Sequence, residues 1–173
     1  MVNAMACVRI LVGAVWLNGA VEKLLSPSFP RQFATTLNTG AYISQAPPWF
    51  GNFMRENVVP NAELVAQLVR FGELTLGLAL VLGLLANLAA IGSILFSLTL
   101  YVSQGGARLG MGLGPPEFID INLLMALLSL VVLLSPAAKA LSLDAALVYR
   151  SPRLAPLLAN RRSGTRRRRR SQA

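Results

Sequence analysis

Residues 64–85 read LVAQLVRFGELTLGLALVLGLL, an apolar run that carries two charged side chains, Arg70 and Glu73. About 20 apolar residues cross a bilayer as a helix at a rise of about 1.5 Å each, so the run predicts a membrane span. A charge at the bilayer centre costs roughly 2.5–3.5 kcal/mol on insertion scales. We therefore expect both side chains to face other helices, either as a structural ion pair or as part of a site for substrate, quinone or protons.

The whole chain has the composition of a membrane protein, since 54% of its 173 residues are hydrophobic and 13% are charged. It contains no histidine, which excludes histidine-ligated haem, histidine-ligated zinc and a Ser-His-Asp triad. The single cysteine, Cys7, cannot form an internal disulfide or a redox pair. We expect no metal site and no covalently bound cofactor. Redox chemistry would need a bound organic cofactor, a membrane quinone or a partner subunit.

Three further apolar segments predict an all-α fold, an integral membrane four-helix bundle. The predicted spans are Ala6–Leu25, Leu64–Leu85, Leu88–Tyr101 and Glu117–Leu134, of which the third is the shortest. Basic residues favour the cytoplasmic side of a membrane, and they are concentrated after the fourth span. The pattern therefore predicts a multi-pass protein of the cell membrane with both termini cytoplasmic. Residues 1–150 form the membrane domain, and residues 151–173 form a basic tail.

The tail is predicted to be disordered and to bind the inner leaflet. The formal charge of the chain is +9, and a cluster of arginines near the C-terminus supplies much of it. The candidate lipid-binding residues are Arg161, Arg162, Arg166, Arg167, Arg168, Arg169 and Arg170. Each basic residue near anionic headgroups gains about 1 kcal/mol, although partner docking is an alternative role. We expect no nucleic-acid binding, because no soluble domain presents the patch.

The first outer loop, residues 26–61, is rich in aromatic residues, which suit the headgroup interface. It is predicted to form one or two short interfacial helices. These helices would either anchor the bundle at the interface or cover a site as a lid. Both interpretations stay open at this level.

Polar residues of all four spans lie at one depth, near the predicted outer surface. Glu73 and Asp120 are the candidate catalytic residues, because buried carboxylates can handle the two protons that quinone reduction takes up. The candidate substrate or quinone ligands are Arg70, Lys23, Trp16, Tyr101 and Asn122. Glu117, Asp120 and Leu124 share one predicted face of the fourth span. Arg9, at the other end of the first span, is expected to reach the cytoplasmic headgroups.

Several of these residues, taken in order, resemble the DoxX/DoxD family over most of residues 9–144. The first span carries Arg9, Gly13, Gly19 and Lys23, and residues 72–80 read GELTLGLAL. Asn122 and the sequence Ser142-Leu143-Asp144 complete the resemblance, which implies a four-helix membrane protein. The DoxD branch is named for the small subunit of a thiosulfate:quinone oxidoreductase, in which electrons pass from thiosulfate to a membrane quinone and a second subunit takes part.

The resemblance and the polar residues together favour a quinone-interacting subunit of a sulfur-linked oxidoreductase of the thiosulfate:quinone type. The alternative is a non-enzymatic membrane scaffold that assembles a redox or stress-response complex. A carrier of small molecules or lipids is less favoured, because the four spans show no internal repeat.

Overall fold

The computed structural model describes residues 2–40, 43–106, 120–139 and 141–150. Seven α-helices lie in these ranges: α1 (Val2–Leu25), α2 (Phe29–Asn38), α3 (Pro48–Phe53), α4 (Ala62–Leu82), α5 (Ala86–Ser103), α6 (Ile121–Leu134) and α7 (Leu143–Arg150). The predictions for Glu117, the basic tail and its arginines lie outside the described residues. The described part contains helices and no strand, so the all-α prediction is confirmed.

Within the described ranges, three helical runs are long and apolar enough to cross a membrane, namely Ala4–Leu25, Pro48–Leu82 and Ala86–Ser103. The fourth predicted span is represented by α6, a shorter apolar helix of 14 residues. The prediction that the third span is the shortest is therefore wrong, because α5 extends to 18 residues while α6 begins only at Ile121. Asp120 sets that start, since its side chain accepts a hydrogen bond from the backbone N–H of Leu123.

Helices α1 and α4 share the most extensive contact in the bundle, and glycines make it possible. A Cβ at Gly77 would lie 2.7 Å from Cγ of Leu17, and a Cβ at Gly13 would lie 3.0 Å from the Gly77 carbonyl oxygen. Larger residues would force the backbones apart. The helices are antiparallel, and we name the two ends of the bundle after cations of α1, the Lys23 end and the Arg9 end.

The turn between α4 and α5 depends on a glycine and on a carboxylate from the far end of the chain. Gly83 has φ +65° and ends α4, and the N–H of Leu84 donates to the Ala79 carbonyl 2.9 Å away. Asp144 then caps α5, because its two carboxylate oxygens accept the N–H groups of Leu85 and Ala86, each at 2.8 Å. The side chain of Asp144 thereby fixes α7 against this turn.

Arg9 is fully buried at the same turn, so the expectation that it reaches the headgroups is wrong. Its Nη2 donates to the Leu141 carbonyl at 3.0 Å, and the Asp144 carboxylate attracts its charge. The guanidinium occupies the space where a side chain at Gly83 would lie. Segment 141–150 therefore covers Arg9, so the burial of Arg9 depends on residues more than 130 positions away in the sequence.

A buried hydrogen-bond chain joins three helices in the middle of the bundle. Trp16 Nε1 on α1 donates to Ser93 Oγ on α5 at 2.7 Å, and Ser93 Oγ lies 2.7 Å from Ser129 Oγ on α6. Ser129 itself donates to the Met125 carbonyl, so every hydroxyl in the chain has a partner. Met125 and Ser129 mark the buried face of α6, whereas Leu124 is 43% exposed and does not lie on that face.

The aromatic loop between α1 and α4 folds into a cap at the Lys23 end. Leu37, Ile43, Met54 and Ala62 form a small apolar core that holds α2 and α3 against the start of α4. Between α3 and α4 the helical run passes through a π turn and a 3-10 turn, where Pro60 has no N–H to donate. The prediction of short helices in this loop agrees with the structure.

Candidate functional site

The largely apolar cavity at the Lys23 end has a volume of about 380 Å³ and lies between α4, α5 and the cap. Four of its lining side chains are phenylalanines from the cap, and a fifth comes from α5. These are Phe29, Phe33, Phe50, Phe53 and Phe96. Pockets of this volume hold small organic molecules, and most of them are lined by apolar and aromatic side chains with a few polar groups.

An ion pair forms the charged part of the cavity wall. Lys23 Nζ lies 2.8 Å from Glu73 Oε2, and the two side chains are 24% and 6% exposed. Lys23 also donates to the Gly19 carbonyl at 3.3 Å and lies 5.8 Å from the ring centroid of Phe29. A Cβ at Gly19 would lie 3.0 Å from Glu73 Oε2, so a larger residue there would press on the carboxylate. Helices α1 and α4 thus hold an ammonium and a carboxylate beside an apolar space.

A second polar group lies on the α5 and α6 side of the cavity. Gln104, at the end of α5, lines the cavity, and its Oε1 accepts a hydrogen bond from Asn122 Nδ2 at 3.2 Å. The same Asn122 nitrogen donates to Asp120 Oδ2 at 2.9 Å. This chain of hydrogen bonds orients the Gln104 amide and connects it to the half-buried Asp120. The cavity therefore has ionic groups on one side and an amide on the other.

A family model described as TQO small subunit DoxD matches residues 5–156 of the chain. The chain belongs to the DoxD family. The suspected DoxX/DoxD membership is thereby confirmed, and with it a membrane protein of a thiosulfate:quinone oxidoreductase-like family. No curated protein and no solved structure gave a significant match to the chain.

Two of the seven candidate site residues line the cavity of this DoxD protein, namely Lys23 and Glu73. Two others touch its lining residues. Trp16 stacks on Phe96 with ring centroids 5.1 Å apart, and Asn122 bonds to Gln104.

The remaining three candidates, Arg70, Tyr101 and Asp120, are not among the residues that line it. Both carboxylate oxygens of Asp120 are occupied, one by the cap of α6 and the other by Asn122. The roles of Arg70, Tyr101 and Asp120 in binding or catalysis remain predictions.

An Arg70–Glu73 ion pair, one of the two alternatives that the sequence left open, does not form, and Glu73 pairs with Lys23 instead. Arg70 is half-buried, its guanidinium carbon lies 5.2 Å from the centroid of the Phe71 ring, and its Nε has no hydrogen-bond partner among the described residues. Residues three apart on a helix differ by about 60° in direction, since each residue advances about 100°. Glu73 points at α1, so Arg70 points to the side of that contact.

Sequence reasoning missed the apolar residues that shape the cavity. Phe96, Val65 and Val69 look like ordinary residues of a membrane helix, and nothing in their spacing separates lipid-facing from cavity-facing positions. The cap phenylalanines could have been found from the sequence, because the high density of aromatic residues in this loop already suggested a lid over a site as one interpretation. The structure places four of them in the cavity wall, while Trp49 is 67% exposed and fits the anchoring interpretation.

Proposed function

We propose that this DoxD protein is the quinone-interacting subunit of a thiosulfate:quinone-type oxidoreductase, acting together with a second subunit. The observation that carries the proposal is the aromatic cavity with the Lys23–Glu73 pair in its wall. The proposal includes the cell membrane as its location, both termini in the cytoplasm, and adhesion of the arginine tail to anionic lipid headgroups.

The cavity chemistry suits a quinone as substrate. A quinone head is flat and largely apolar, so phenylalanine side chains can bury its faces. Its carbonyl oxygens become negatively charged as electrons arrive, and the Lys23 ammonium can donate a hydrogen bond to one of them and stabilise that charge. Reduction to the quinol takes two electrons, which thiosulfate would supply through the second subunit, and two protons. Glu73, a carboxylate in its pair with Lys23, would first take up a proton from water and then pass it to the reduced oxygen, and the second proton would follow in the same way.

The test is thiosulfate-dependent quinone reduction in membranes from cells with and without the chain. Glu73→Gln and Lys23→Gln should each lower the rate by about 100-fold or more at equal protein level, within the range for a proton-transferring group. Glu63→Gln is the matched control, because Glu63 is exposed on the same helix and lies outside the cavity. It should retain the full rate.

Equal rates with and without the chain would contradict the oxidoreductase proposal. If Glu73→Gln retained the rate and only lowered the amount of folded protein, the ion pair would be structural. A partner that copurifies with the chain and needs it for assembly would then favour the scaffold function.

A further inference from the structure

We infer that the membrane-facing groove between α4 and α5 binds the hydrocarbon tail of a long-chain isoprenoid quinone whose head occupies the Lys23-end cavity. The inference rests on the proposed function and extends it, since it names the class of quinone and its route of entry. It depends on three observations. The groove lies between two helices that each pack mainly on another helix, it lies on the Arg9 side of the cavity, and the groove lining is apolar.

The groove exists because α4 and α5 each pack mainly on another helix. Helix α4 lies chiefly against α1, and α5 lies chiefly against α6, whereas α4 and α5 contact each other less, with Leu76 packed on Gly92 inside the groove. The space left between them has a volume of about 610 Å³. On α5 its lining runs from Leu88 to Leu95, and seven residue steps of about 1.5 Å make this part of the groove about 10 Å long.

The groove begins where the cavity ends. On α4 the cavity wall includes Glu73, and the groove lining starts at Thr75 and Leu76. On α5 the cavity wall includes Phe96, and the groove lining ends at the adjacent Leu95. The cavity and the groove therefore follow one another along α4 and α5, with the groove on the side of the Arg9 end.

The lining selects a hydrocarbon occupant. All of the groove residues are apolar except Thr75, whose hydroxyl donates to the Phe71 carbonyl at 2.8 Å. Leu78, Leu88 and Ile91 lie in its wall and are 45%, 64% and 43% exposed, so the groove opens sideways into the bilayer. A polar ligand would find no hydrogen-bonding partner there, whereas a polyprenyl chain would bury apolar surface and could enter from the membrane.

The experiment compares two quinones with the same head, one without a tail and one with a long prenyl tail. Binding is followed in nanodiscs free of quinone by quenching of Trp16, which stacks on Phe96 of the cavity wall. Trp49→Phe is the background, because it leaves Trp16 as the single tryptophan of the chain. Concentrations of both quinones are expressed as mole fraction in the lipid, which corrects for partitioning.

Ala79→Phe fills the groove, since Ala79 lines it, and Ala14→Phe is the control at similar depth on an exposed face of α1. Ala79→Phe should weaken binding of the long-tailed quinone at least tenfold and leave the tail-less quinone unchanged. Ala14→Phe should change neither. If Ala79→Phe does not fold, Thr75→Phe at the exposed rim of the groove makes the same comparison.

Equal binding of the long-tailed quinone to Ala79→Phe and Ala14→Phe would overturn the inference. Binding of the tail-less quinone would still support the proposed function. Equal weakening of both quinones would also overturn it, because the groove would then act only on the shape of the cavity. Loss of a copurifying subunit or of self-association in Ala79→Phe, without a change in quinone binding, would assign the groove to a protein helix. If neither quinone binds the unfilled protein, the inference and the proposed function both fail.

Discussion

Removing the Lys23–Glu73 pair tests the interaction on which the candidate site depends. At 2.8 Å and an effective dielectric constant of about 20, the attraction between the two charges is about 6 kcal/mol. The cost of taking both charges out of water cancels most of this energy. Exposed pairs retain up to about 1 kcal/mol, and charged hydrogen bonds about 1.5–3 kcal/mol. With Glu73 6% exposed and Lys23 24% exposed, we expect a coupling energy of about 2 kcal/mol.

The measurement is a double-mutant cycle with Lys23→Gln, Glu73→Gln and the double variant, each unfolded reversibly in mixed micelles with increasing SDS. The coupling energy is the difference between the double variant and the sum of the two single variants. A second cycle pairs Glu73→Gln with Arg70→Gln and serves as the control. The Arg70 cycle should give less than about 0.5 kcal/mol, because no ion pair joins these side chains.

A larger coupling in the Arg70 cycle than in the Lys23 cycle would refute the reasoning about how α4 is rotated. Coupling near zero in both cycles would show that desolvation cancels the attraction completely. The Lys23 coupling should also persist at about 1 M salt, since screening acts weakly on buried charges. Its disappearance at high salt would place the pair in water rather than in the protein interior.

Three further predictions concern stability, measured as the free energy of unfolding in the same assay. Asp144→Ala removes both acceptors at the start of α5 and should cost about 2–4 kcal/mol, whereas an effect below about 1 kcal/mol would contradict the capping role. Gly77→Leu should cost about 3 kcal/mol or more, whereas Gly72→Ala, which has open space, should be neutral or slightly stabilising. Ser93→Ala should cost about 1–3 kcal/mol because it removes the acceptor of the Trp16 N–H. Ser97→Ala should cost less, because the Ser97 hydroxyl has no partner in the described residues. Equal costs would argue against a stabilising role for the Trp16–Ser93–Ser129 hydrogen bonds.

Hydropathy and spacing were sufficient to predict the helical bundle and the depth of its polar groups. The apolar runs located the helices. Lys23 and Glu73 were both placed at one end of the bundle from position alone. These features depend on local composition and on the period of the helix, which a single sequence records directly.

Partner choice could not be predicted, because it depends on the rotation of whole helices. Arg70 and Glu73 are near neighbours on one helix, so spacing alone favours their pairing. The contact at Gly77 turns Glu73 toward α1, where Lys23 is available. Arg9 shows the same limit over a longer distance, since its burial depends on segment 141–150, which lies after the last span.

The two ends of the bundle carry buried charges that differ in what surrounds them. At the Arg9 end, the carboxylate of Asp144 is bonded to backbone N–H groups, and Arg9 is enclosed by α7 and the α4–α5 turn, so these charges hold structural elements together. At the Lys23 end, the ion pair borders a cavity large enough for a small organic molecule. A charge enclosed by its own protein can act only on the fold, whereas a charge beside a cavity can also act on a ligand. Glu73→Gln should therefore change ligand binding more than stability, and Asp144→Ala should do the reverse. Quinone titrations and unfolding curves on the same two variants would show a contradiction if both lost binding and stability in equal proportion.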